Sequence, residues 1–96
     1  MLVNVVESTK KGKRYKAIFS DGWQTDFGSA GGTTYIDHGD KTKRTNYIKR
    51  HLGSGREDWA DMYSAGALSG LLLWGPKTNL SENIKLYNIH FFHKYY

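Results

Sequence analysis

Ninety-six residues carry a formal net charge of +5 and no cysteine, with 39% apolar and 15% aromatic side chains. This length supports one domain around one core, the aromatic content excludes a disordered tail, and the missing thiols exclude disulfides and cysteine-ligated metal. The longest apolar stretch, Ala65 to Trp74, is interrupted by two Gly and a Ser and falls far short of the roughly 20 residues of a membrane span.

The opening Met1-Leu2-Val3-Asn4 lacks the charged-then-apolar order of a signal peptide, so a soluble intracellular protein is expected. Leu2–Ser8 is rich in Val and predicts a strand. Thr9 to Lys13 is a turn, and Arg14–Phe19 is a second strand with Tyr15, Ala17 and Phe19 on one face. Ser20-Asp21-Gly22 has the Asp-Gly signal of a tight hairpin, because Gly takes positive φ without penalty. Trp23 to Phe27 alternates large and polar residues as a half-buried strand does, which places Trp23 and Phe27 on the packed face. The expectation is a three-stranded antiparallel meander whose apolar face needs a cover.

Gly28 to Gly32 ends the sheet, and Thr33–Gly39 reads as irregular chain or a short edge strand. Asp40 can cap a helix over Lys41–Leu52, with Arg44, Ile48 and Leu52 along one side and Gly53 as its terminator. A connection from Ser54 to Asp61 holds Trp59. Ser64 can cap a helix over Ala65–Trp74, apolar nearly all round and therefore central, which Gly75-Pro76 stops. Asn79 and Glu82 resemble a capping box. It opens a last helix from Leu80 to His93, with Leu80, Ile84, Tyr87 and Phe91 on one stripe and Leu86, Ile89 and Phe92 off it. The fold class is thus α+β, a three-stranded meander packed by about three helices in one domain over residues 1–96, without internal repeat.

Candidate chemistry is sparse. The Gly28–Gly32 loop with Thr33 and Thr34 lacks the Lys, the glycine spacing and the following helix of a phosphate-binding loop. Gly66-Ala67-Leu68-Ser69-Gly70 lacks the spacing of a nucleophile elbow, and its small residues suit close packing instead. His90 and His93 are two ligands at most, too few for a metal site. The carboxylates of Glu57, Asp58 and Asp61 have no fixed separation or cleft and suit capping and ion pairing. No catalytic residue, metal, cofactor or small-molecule substrate is expected.

Charge placement is more informative. Residues 1–50 hold ten Lys or Arg against five acids, whereas residues 51–96 hold four against four. One basic cluster, Lys10, Lys11, Lys13, Arg14 and Lys16, lies at a hairpin with Tyr15 among it. Another, Lys43, Arg44, Lys49 and Arg50, follows a helix with Tyr47. Both clusters can neutralise phosphates, and the two tyrosines can stack on bases.

The blocks GKRYKAIFSDGWQTDFGSAG, YIDHGDKTKRTNYIKRH, EDWAD, AGALSGLLLWG and SENIKLY occur in that order. In this the chain resembles a small protein family of nucleocytoplasmic large DNA viruses, the giant viruses of algae and protists. The likeness runs from about Val5 to Tyr87, and AGALS followed by LLLWG is its sharpest part. Two departures stand out: Gly70 replaces a larger, often basic residue, and an aromatic tail replaces a basic ending. The resemblance implies a viral origin and brings no catalytic residues. A minor capsid-associated virion protein is therefore expected, made in the host cytoplasm and touching other virion or capsid proteins. Phe92, Tyr95 and Tyr96 are its candidate interface, since the last helix has other residues for its own core. The alternative is a basic protein bound to the packaged DNA.

Overall fold

The computed structural model describes residues 1–53 and 59–95. Three strands, β1 (Leu2–Glu7), β2 (Lys13–Phe19) and β3 (Gln24–Ser29), form an antiparallel sheet in chain order. Four helices follow: α1 (Tyr35–His38), α2 (Lys41–Gly53), α3 (Ala65–Leu68) and α4 (Leu80–Tyr95). A π-helical segment, Ser69–Leu73, extends α3. The expected α+β architecture is present, with one short helix more than the three anticipated.

Register follows from side-chain alternation. Tyr15 faces Phe27 and Glu7, and Ala17 faces Thr25 and Val5, so one face of the sheet collects the apolar residues. Ala17, Phe19 and Phe27 are buried there with Leu2. Between Leu2 and Asn4 the register shifts by a bulge, and Val3 is exposed on this edge strand. The helical layer covers the apolar face with Met62, Ala67, Leu68, Leu72, Leu73, Tyr87 and Phe91, forming one continuous core. A radius of gyration of 12.6 Å matches the value of about 12.5 Å for a folded chain of this length.

Capping behaves as the sequence suggests. Asp40 Oδ1 accepts from the N–H groups of Thr42 and Lys43 at 2.9 and 3.1 Å. Ser64 Oγ accepts from Ala67 N at 3.1 Å, and Asn79 Oδ1 from Glu82 N at 3.1 Å. Each oxygen satisfies a first-turn donor that the helix itself leaves open.

Three expectations need correction. Trp23 is 59% exposed rather than packed under the helices. It belongs to the hairpin turn, where Phe19 N donates to Trp23 O, and β3 begins one residue later. Tyr63 takes the place over the sheet end, with its ring 4.7 Å from Phe19 and 5.7 Å from Trp23. Its hydroxyl donates to Asp21 of the same turn, which holds that carboxyl below its usual pKa.

The segment Thr33–Gly39 is not a strand but carries the helix α1. Asp37 reaches back to accept from Thr34 N and Thr34 Oγ1 at 2.8 and 2.9 Å, and Gly39 ends the turn at φ 64°. The third difference lies in the central helix. It is regular only to Leu68 and then widens, with Trp74 N bonded to Ser69 O five residues back.

Gly70 lies under Trp59: a Cβ there would meet Trp59 Cζ2 at 2.1 Å. Gly70 thus serves the close packing expected of the small residues in this segment. Gly75-Pro76 does separate the central segment from α4. No helix among the described residues is long and apolar enough to cross a membrane.

Candidate functional site

Two surfaces stand out, and each begins with where the strands and helices aim their side chains. Lys13 opens β2 on the same face as Tyr15, Ala17 and Phe19, so its side chain reaches toward the helical layer. On α2, Tyr47 is only 8% exposed and is held between two rings. Trp74 stacks on it at 4.3 Å with 6° between planes, and His51 at 4.0 Å. Arg50 lies one turn after Tyr47. The result is a cleft of about 420 Å³ that brings Lys13, Arg50 and His51 together with Leu73 and Trp74 on its apolar wall. Ser29, Thr33 and Ser69 contribute hydroxyls to its lining, and no Asp or Glu lines it among the described residues.

The loop that forms one side of the cleft is braced from behind. Arg14 makes two hydrogen bonds to Asp37, each 2.7 Å, and its guanidinium lies 4.8 Å from the Tyr15 ring centroid. Arg14 chiefly holds the Asp37 carboxyl well below the usual carboxylate range, and the Thr34 bonds add to this. The pair ties α1 back to β2.

The structure therefore separates the candidate cations. Arg14 is paired with Asp37. Arg44 Nε donates to the carbonyls of Trp74 and Gly75 at 3.0 Å each, satisfying acceptors at the end of the π-helical segment. Lys13, half-buried, and Arg50, exposed, both line the cleft; Lys10, Lys11, Lys43 and Lys49 are also exposed and Lys16 is half-buried. The tyrosines do not stand as base-stacking platforms. Both faces of Tyr47 are taken, and Tyr15 lies between Arg14 and Phe27.

The second surface lies where α4 meets β1. Asn88 docks the helix on the strand: its Oδ1 accepts from Leu2 N at 2.9 Å and its Nδ2 donates to Leu2 O at 2.8 Å. Beside this contact Met1, Ile89 and Phe92 line an apolar groove of about 220 Å³. Ile89 is 61% and Phe92 51% exposed, and Leu86 is exposed one turn before Ile89. Of the candidate interface, Phe92 thus lies at the surface. Tyr96 and the side chain of Tyr95 lie outside the described residues, as do the side chains of Leu52 and His93 and the whole of Glu57 and Asp58.

Among the described residues no three His, Cys, Asp or Glu side chains converge as a metal cage. Asp61 accepts from Tyr63 N at 2.9 Å and so shapes a turn. His90 stands edge-on to Phe91 at 4.7 Å.

A family model for a family of unknown function, DUF5754, matches residues 3–51. The chain belongs to this family. The matched half runs from β1 into the last turn of α2 and carries Lys13, Tyr47, Arg50 and His51, one side of the cleft. Leu73 and Trp74, the opposite wall, lie outside it. No curated protein and no solved structure matches the chain.

The sequence contained the cations of the cleft but not their association, because Lys13 and Arg50 come to line one cleft only through the packing of α2 on Trp74. No local pattern marks His51 or Trp74 as cleft residues, or Asn88 as a docking residue. A signal for Asn88 existed, since it follows the core residue Tyr87 on a helix next to the sheet. A polar residue beside a core stripe is common, however, and carries no docking direction by itself.

Proposed function

We propose that the protein is a non-enzymatic virion component of a giant virus, a minor capsid-associated part that works through protein–protein contacts. The observation that carries this reading is the apolar groove of Met1, Ile89 and Phe92. Leu80, Ile84, Tyr87 and Phe91 already give α4 its contacts with the core, whereas beside them Ile89 is 61% and Phe92 51% exposed. Covering such side chains is favourable by about 25 cal/mol for each Å² of apolar surface removed from water. Aromatic residues are also enriched in the centres of protein interfaces. The occupant proposed is another capsid protein, which suits the resemblance to the large DNA virus family. That setting gives the virion as its location and the host cytoplasm as the place of assembly.

A second reading, association with the packaged genome, is favoured by the basic cleft. Purified virions separated into shell and core, with the chain located by mass spectrometry, distinguish the two. Recovery with the shell is the expected result. Recovery with the DNA-containing core would replace the first reading by the second, and absence from purified virions would overturn both.

A further inference from the structure

We propose that the cleft between the loop after β3 and the last turns of α2 is a phosphate-binding site, with Lys13 and Arg50 as its cationic ligands. The proposal deepens the genome-association reading and rests on it only for the source of the phosphate. Neighbouring cations differ in their partners. Folding pairs Arg14 with Asp37 through two bonds of 2.7 Å, yet Lys13, the adjacent residue, has no carboxylate partner among the described residues, and neither has Arg50. Lys13 and Arg50, 37 positions apart in sequence, line one recess, and an anion there would interact favourably with both charges.

The described part of the cleft offers hydroxyl donors at Ser29, Thr33 and Ser69 and places no Asp or Glu against an incoming anion. Leu73 and Trp74 form a wall of low polarity, and cationic groups against such a wall focus their field into the recess. A lone carboxylate needs less room and fewer donors than this. A tetrahedral phosphate accepts several hydrogen bonds and two cations at once, and about 420 Å³ also admits the sugar attached to it.

The cleft offers no open tyrosine ring to a base. Tyr47 has Trp74 on one face and His51 on the other, so its ring supports the cleft and is closed to a base. Recognition falls on the phosphate, and oligonucleotides of different base composition should bind alike. Two sources carry this chemistry, a nucleic-acid backbone and a free phosphorylated compound.

The full chain, a Lys13→Met/Arg50→Gln variant and a Lys77→Met/Lys85→Met control separate the outcomes. The cleft variant keeps the aliphatic stems, and the control removes the same charge from exposed positions elsewhere. Far-ultraviolet circular dichroism checks that all three are folded. Binding of a labelled single-stranded 20-mer is followed against salt, and binding of inorganic tripolyphosphate by calorimetry. The expected result is at least about a tenfold loss of oligonucleotide affinity in the cleft variant and less than about twofold in the control. Loss of the one phosphate that the two cations share should also lower the slope of log K against log salt by about 0.7. Equal losses in both variants would overturn the cleft and leave the genome reading standing on diffuse charge. Tripolyphosphate binding that only the cleft variant loses, with no oligonucleotide binding, would uphold the cleft and remove the genome reading. Failure of both probes at low salt would overturn the cleft as well.

Discussion

Asn83 is fully buried on α4, and its side chain is completely engaged. Its Nδ2 donates to Leu72 O and Lys77 O at 2.8 Å each, and its Oδ1 accepts from Lys77 N at 3.1 Å. One side chain thus holds the chain reversal between the π-helical segment and α4. A side chain on Gly75 would collide there, its Cβ lying 2.3 Å from Leu71 O and 2.9 Å from Asn83 Cγ. Asn83→Leu keeps the γ-branched shape with somewhat greater bulk and removes the polar atoms, which leaves three backbone groups without partners. The expected loss is about 3 kcal/mol, measured as a lower urea midpoint at unchanged m-value. An unchanged midpoint would mean that packing rather than hydrogen bonding holds the reversal. Gly70 makes a matching case through sterics alone. Gly70→Ala must displace the Trp59 ring and should cost about 1–3 kcal/mol. Repeating it in a Trp59→Ala background should recover more than about 0.5 kcal/mol, the sign of a contact between the two positions.

Among the elements, α1 is the one whose existence depends most on charge. Four helical residues cannot sustain a helix by propensity, and this one is held by Asp37, which joins Thr34 to Arg14. A carboxyl held below its unfolded value of about 3.9 contributes stability above that pH. The contribution is lost as pH falls toward the folded-state value, because protonation breaks the pair. Asp37→Asn should therefore be less stable than the parent at pH 7 and approach it below about pH 4. Thermal melts of both across pH 2–8 read the gap, and a constant gap would place the effect of Asp37 outside its ionisation. The same pair shows why Thr33–Gly39 was illegible. Its helix needs a cation 20 or more residues earlier, which no local pattern records. The meander was legible because Tyr15, Ala17 and Phe19 alternate, and α4 because Leu80, Ile84, Tyr87 and Phe91 repeat at helical spacing. Trp23 followed the alternation of β3 and misled, since the two-residue period runs on into a turn where pairing has already ended. The cleft depended on contacts between distant elements and was legible only as two separate basic clusters.

At the scale of the whole molecule, adjacent residues of α4 divide the protein's interior from its proposed contact surface. Phe91 is 1% and Phe92 51% exposed, because successive helical positions lie about 100° apart. Phe91 packs 4.7 Å from the Tyr87 ring, whose hydroxyl donates to Met62 O, so it touches the group that joins α4 to the segment before α3. Phe91→Ala leaves a cavity in the core and should cost about 3–5 kcal/mol. In a domain of this size that lowers Tm by on the order of 15 °C or more. Ile89 and Phe92 line the groove with Met1 and are exposed. An Ile89→Gln/Phe92→Gln variant should therefore keep a parental Tm within a few degrees while losing co-assembly with capsid protein. Scanning calorimetry and co-purification from infected or co-expressing cells read the two properties separately. A Tm fall in the double variant comparable with that of Phe91→Ala would make the groove part of the monomer's core. Unimpaired co-assembly would remove the groove as the contact surface. Only stability kept and assembly lost supports a surface whose apolar residues serve a partner.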